Sequence, residues 1–94
     1  MSASLLIDTV GAATFAKCNS ENQPLFRVNA GVSCEEALEQ ASLLMDCINK
    51  LTLMGGMDDN NGALVWAAHY LGEQVKAVID DVADGLQRAQ AGDV

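Results

Sequence analysis

Ser33-Cys34-Glu35-Glu36-Ala37-Leu38-Glu39-Gln40-Ala41-Ser42 reads as the opening of a helix, and the rest of the fold is built outward from it. Ser33 and Glu36 stand three apart in capping-box form: the serine hydroxyl accepts from the Glu36 amide while the Glu36 carboxylate reaches back. Glu35, Glu36 and Glu39 put negative charge in or near the first turn, where it complements the helix dipole. Apolar residues then recur as Ala37, Ala41, Leu44, Ile48 and Leu51, spaced alternately four and three, which is a heptad seam. Cys34, Leu38 and Met45 widen the seam on one side and Cys47 on the other, to an apolar arc of roughly 180°. Glu35, Glu39, Ser42, Asp46 and Lys50 fill the opposite face, with Asp46 and Lys50 a favourable i,i+4 pair. The pattern predicts a helix to about Met54, ended by Gly55-Gly56.

A second helix follows a polar connection in which Asp58 or Asn60 is the expected N-cap. Its seam runs Leu64, Ala68, Leu71, Val75, Val78, Val82, Leu86 and Ala89. Reaching about Ala91, it would be roughly 45 Å long against roughly 30 Å for the first helix. A hairpin of the two therefore leaves part of the second helix, with Val78, Ile79, Val82 and Leu86, without a helical partner. Two helices and one short strand cannot close a core around so wide an apolar arc. The expected solution is a homodimer whose helix pairs form a four-helix arrangement, with Leu71, Val75, Val78, Ile79, Val82 and Leu86 at the interface. The other solution is that the N-terminal arm folds back over the excess.

Upstream, Pro24-Leu25-Phe26-Arg27-Val28 reads as a strand that Asn29-Ala30-Gly31 turns off. Its backbone groups need a partner, either residues 4–10 or the same strand of a second chain. Residues 1–23 read as a partly mobile arm, with an apolar run at 4–10 that fits a strand or a helical turn and a polar loop around Cys18 to Asn22. The organisation expected is thus an arm over 1–23 and a strand plus helical hairpin over 24–94. The fold class is mainly α: a short N-terminal strand followed by a long two-helix antiparallel hairpin.

Composition narrows the function. The 94 residues suit one domain, half are hydrophobic, and the aromatics are confined to Phe15, Phe26, Trp66 and Tyr70. A net charge of −8 would be repelled by a phosphate backbone and by anionic lipid, so neither nucleic acid nor a membrane surface is an expected partner. No apolar run approaches the roughly 20 residues that span a bilayer, and no basic leader precedes an apolar core. The three widely spaced cysteines fit reduced thiols, and hence the cytoplasm.

Catalytic chemistry finds little support. His69 and Glu73 lie one turn apart and could give a metal two ligands, but no Cys-x-x-Cys or second histidine completes a site. Cys34 near a helix start would have a lowered pKa, yet Cys34 and Cys47 sit too far apart around the helix to act together. Asp80, Asp81 and Asp84 read as a solvated helix face. Gly55-Gly56 lacks the Lys-Ser/Thr of a phosphate loop. No nucleophile can be matched to the lone histidine, so no enzyme, cofactor or metal is expected. Trp66 and Tyr70 stand out: one turn apart, they lie roughly 130–160° from the seam, at 100° per residue. They are candidate partner-binding anchors, with Met54 and Met57 as an adaptable apolar edge. The competing reading has the arm or the 25–28 strand covering them.

The stretch Leu25 to Ser33, continuing Glu35-Glu36-Ala37-Leu38-Glu39-Gln40-Ala41-Ser42 and Leu44, and the segment Ala63 to Ala77 with its Trp-Ala-Ala-His-Tyr-Leu core, resemble a family of small bacterial helical-hairpin proteins. That family is mostly of unknown function and includes the quorum-sensing antiactivator QslA. The resemblance spans about residues 24–82, and its motifs are structural rather than catalytic. It implies a dimer that binds a LuxR-type transcription activator and prevents its productive dimerisation. Two other classes fit the residues: an acidic mimic of nucleic acid in a basic protein groove, and a helical bundle holding a small ligand or metal.

Overall fold

A computed structural model describes residues 7–57 and 62–92 of the chain. The elements run β1 (Thr14–Cys18), β2 (Gln23–Arg27), α1 (Cys34–Met57) and α2 (Gly62–Gln90). The two helices form an antiparallel hairpin: Cys34 and Ala37 share a core cluster with Val82, while Gly55 lies against Leu64 and Val65. The mainly α class and the hairpin therefore stand.

α1 starts as expected but only half of the capping box forms. The Glu36 amide donates to Ser33 Oγ at 3.5 Å, a long contact, whereas the Cys34 amide is capped at 2.9 Å by the Ile7 carbonyl. α1 also does not stop at Gly55-Gly56; it continues through both to Met57. A Cβ on Gly55 would meet Val65 at 3.4 Å and Leu64 at 3.7 Å. The glycine lets the helices approach rather than ending one. The N-cap positions proposed for α2, Asp58 and Asn60, lie outside the described residues.

β2 finds its partner within the chain, in the stretch expected to be loop. β1 and β2 pair antiparallel, with Thr14 opposite Arg27, Phe15 opposite Phe26 and Cys18 opposite Gln23. The Phe15 and Phe26 rings stack across the ladder with centroids 5.3 Å apart. The polar run Asn19 to Asn22 makes the turn. Asn19 and Asn22 both take positive φ, which asparagine tolerates, and Asn19 Oδ1 accepts from the Glu21 amide at 2.9 Å.

Residues 7–13, expected as part of the arm, are tied into the fold. Asp8 bridges to Ser33, the Thr9 amide donates to the Val32 carbonyl at 2.7 Å, and the Gly31 amide donates to the Thr9 carbonyl at 3.0 Å. This segment then crosses α2. Ile7 is buried with Cys34, Ala37 and Val82, and the Asp8 carbonyl lies 3.0 Å from where a Cβ of Gly85 would be. The overhang on α2 is therefore covered, at least at Val82 and Gly85, by the chain's own N-terminal segment. The core is built from small residues: Ala37, Ala41, Val75, Ala77 and Val82 are all buried. Among the described residues, no helix is long and apolar enough to cross a membrane.

Candidate functional site

The acidic stretch on α2 divides in a way that overturns its reading as one solvated face. Asp80 is held by Lys76, with Nζ 2.7 Å from Oδ2, and Asp84 by Arg88, with Nε 3.2 Å from Oδ1. Asp81 is 1 % exposed. Its carboxylate accepts four successive backbone amides: Oδ2 takes Val10 at 2.6 Å and Gly11 at 3.1 Å, and Oδ1 takes Ala12 and Ala13 at 2.8 Å each. Gly11 turns at a φ of +85° to aim these donors at one point, a backbone nest of the kind that cradles anions. Burial pushes the Asp81 carboxyl up, but the amides of Ala13, Gly11, Val10 and Ala12 together outweigh it and hold the group below the usual carboxylate range. A sequence signal for this exists. Asp80 has Lys76 four residues before it and Asp84 has Arg88 four after it, whereas Asp81 has only Ala77 and Gly85 at those positions.

A second carboxylate ties the sheet to the aromatic pair. Ala16 takes φ +59°, which turns its amide away from β2 toward Glu73 Oε2 at 2.9 Å. The other oxygen, Oε1, lies 2.9 Å from His69 Nε2. His69 in turn packs edge-on against Trp66 at 5.8 Å and against Tyr70 at 5.8 Å, and the Trp66 and Tyr70 centroids are 6.0 Å apart. His69, exposed and paired with Glu73 one turn on, thus links the β-hairpin to the aromatics. Among the described residues no group of three or more His, Cys, Asp or Glu is placed to hold a metal ion.

Among the described residues, neither the N-terminal segment nor β2 covers the aromatics: Trp66 is 61 % exposed and Tyr70 55 %. Val65, Leu53 and Met54, near the same end of the hairpin, are exposed as well. The Met57 side chain lies outside the described residues. Of the residues assigned to a dimer interface, Val75 and Val82 are buried within the chain, Leu71 and Val78 are half-buried, and Ile79 and Leu86 are exposed.

The cysteines separate by environment. Cys18 and Cys47 are exposed and Cys34 is buried. Burial, followed by the nearby charges of Asp8 and Asp81, pushes the Cys34 thiol up. This reverses the expectation that the helix start would lower it, because the N-terminal segment covers the thiol and brings carboxylates with it.

No curated protein and no solved structure matches the chain. A family described as a protein of unknown function (DUF3077) matches residues 9–85, and the chain belongs to that family.

Proposed function

We propose that the protein is a non-enzymatic protein-interaction regulator, a homodimeric antiactivator that binds a LuxR-type transcription activator in the cytoplasm and blocks its dimerisation or DNA binding. The observation that carries the interaction is the uncovered Trp66 and Tyr70 pair. Large exposed aromatics held in fixed mutual packing are the residues that most often anchor a protein interface. Their tether through His69 and Glu73 to the Ala16 amide supports a preformed surface, which lowers the ordering cost of binding. The class of partner comes from the resemblance carried by residues 24–82.

The acidic-mimic reading draws on the net charge of −8 and differs in its salt response. Mimicry would weaken steeply with added salt, and apolar docking would not. A small-ligand reading draws on the open groove between β1 and α2, lined by Phe15, Lys17, His69, Gly72 and Lys76.

The test is a titration of the protein into a LuxR-type activator bound to its DNA site. Inhibition should plateau near stoichiometric amounts. Trp66→Ala should weaken it at least tenfold, as loss of about 2 kcal/mol at an aromatic anchor requires. Inhibition by trace amounts would overturn the mechanism. Undiminished inhibition by a Trp66→Ala, Tyr70→Ala double variant would overturn the surface.

A further inference from the structure

We infer that a second copy of this chain docks on the open groove between α1 and α2, and that the resulting dimer leaves both aromatic pairs free. The inference rests on the homodimer proposed above and says where its two copies meet. The groove has a volume of about 460 Å³ and is lined by residues of the two helices alone. Ala41 and Val75, each 4 % exposed, form its floor; Leu38, Met45 and Ile79 stand exposed along it, with Ser42 beside them. The N-terminal segment and the β-hairpin lie on the other side of α2, where they meet Asp81 and Glu73. At about 100° per residue, Asp81 and Ala77 point roughly 160° away from Ile79.

Area argues for a partner here. By mass scaling, a compact chain of this size exposes about 5,200 Å², whereas this one exposes 6666 Å². Its radius of gyration is 15.7 Å, against about 12.4 Å for a compact domain of this length. The excess is shared among this groove, the exposed β-hairpin and the aromatic end of α2, and it leaves room for the roughly 800 Å² each partner contributes to a standard stable interface.

Charge directs a second copy to this face. Two chains of −8 repel across most of their surfaces. The groove is lined by one charged residue, Asp46, which Lys50 neutralises at 2.9 Å. Spacing fits as well. Leu38 and Met45 are seven apart on α1, and Ile79 and Leu86 are seven apart on α2. Equal repeats on antiparallel helices let a two-fold-related copy set its knobs into the matching holes. The contact keeps Ile79 and Leu86 from the expected interface and adds Leu38, Ser42 and Met45. Val82 is spent on the intrachain core. Trp66 and Tyr70 lie roughly half a turn around α2 from Ile79 at 100° per residue, so the dimer is bivalent for a partner.

Sedimentation velocity at tens of micromolar, with far-UV circular dichroism as the folding control, tests this. Wild type and Leu43→Glu, a charge placed on the far face of α1, should sediment at twice the chain mass. Ile79→Glu and Ser42→Trp should sediment at the chain mass with unchanged helix content, the dimer dissociation constant rising at least a hundredfold. If Ile79→Glu loses helix, Ser42→Trp decides, because it adds bulk at an exposed position without burying charge. A wild-type dimer that survives both changes overturns the groove and leaves the homodimer standing. A wild-type monomer overturns both.

Discussion

Replacing Asp81 by alanine should cost the fold about 3–5 kcal/mol, whereas the same change one residue earlier, Asp80→Ala, should cost under about 1 kcal/mol. A hydrogen bond to a charged group contributes about 1.5–3 kcal/mol net, so four independent ones would sum to about 6–12 kcal/mol. The four at Asp81 are not independent. They share one carboxylate, and residues 10–13 can lift away so that water satisfies their amides. The loss is then capped by what docks that segment, chiefly the burial of Ile7, worth about 1.5–3 kcal/mol, plus what remains of the carboxylate's own bonds. Asp80 is half in solvent and pairs with an exposed Lys76, so its removal costs what a surface ion pair costs. Since domains of this size are stable by about 5–15 kcal/mol, Asp81→Ala should leave a folded but weakened protein. Urea unfolding followed by circular dichroism measures the difference, and hydrogen exchange locates it. The Val10, Ala12 and Ala13 amides should lose protection before the helices do. The reasoning fails if Asp81→Ala and Asp80→Ala cost the same within about 1 kcal/mol. It fails equally if residues 10–13 stay as protected as in wild type.

Other consequences follow from the same geometry. Because the Asp81 carboxyl is held below its usual range in the fold, its contribution is complete above the unfolded value of about 3.9 and declines as pH falls through the lower folded value. Urea midpoints should therefore drop on that acid limb, and Asp81→Asn should flatten the drop. Gly85→Ala should destabilise by about 1–3 kcal/mol despite alanine's better helix propensity, because the added Cβ stands 3.0 Å from the Asp8 carbonyl oxygen; a more stable variant in thermal melts would contradict this. With an aromatic disulfide reagent, the exposed Cys18 and Cys47 should react quickly, and the buried Cys34 only at the rate of opening; three equally fast thiols would mean that the N-terminal segment does not cover α1.

The helices were legible because their seams are long and periodic, and the off-seam aromatics because Trp66 and Tyr70 break that period in the same direction. The Gly55-Gly56 stop was misread because a glycine pair serves two ends, a left-handed cap or a close helix crossing, and only the neighbouring Leu64 and Val65 decide between them. β1 was hidden for a different reason. Thr14-Phe15-Ala16-Lys17-Cys18 alternates weakly, and Ala16 sits at a positive φ that a strand pattern does not announce. Its strand character comes from the Phe15 and Phe26 stack across the ladder and from the asparagine turn that joins the two strands, neither of which shows in the five residues of β1 themselves.

The overhang on α2 and the misread acid at position 81 have one physical explanation. α2 is 29 residues long and α1 24, so the last turns of α2 run beyond a full helical partner and need another cover. An extended segment can supply it only if its backbone amides are satisfied where it crosses the helix. Asp81 meets that need. Ala77 and Gly85, one turn to either side, are small enough for backbone to approach, and neither offers the carboxylate a competing cation. The segment that arrives, Val10-Gly11-Ala12-Ala13, is correspondingly small and uncharged. Its tight contact with Gly85 then follows from the same approach. The excess apolar face was thus divided: the Asp81 side went to the N-terminal segment, and the Ile79 side, lined among the described residues by the two helices alone, stays open.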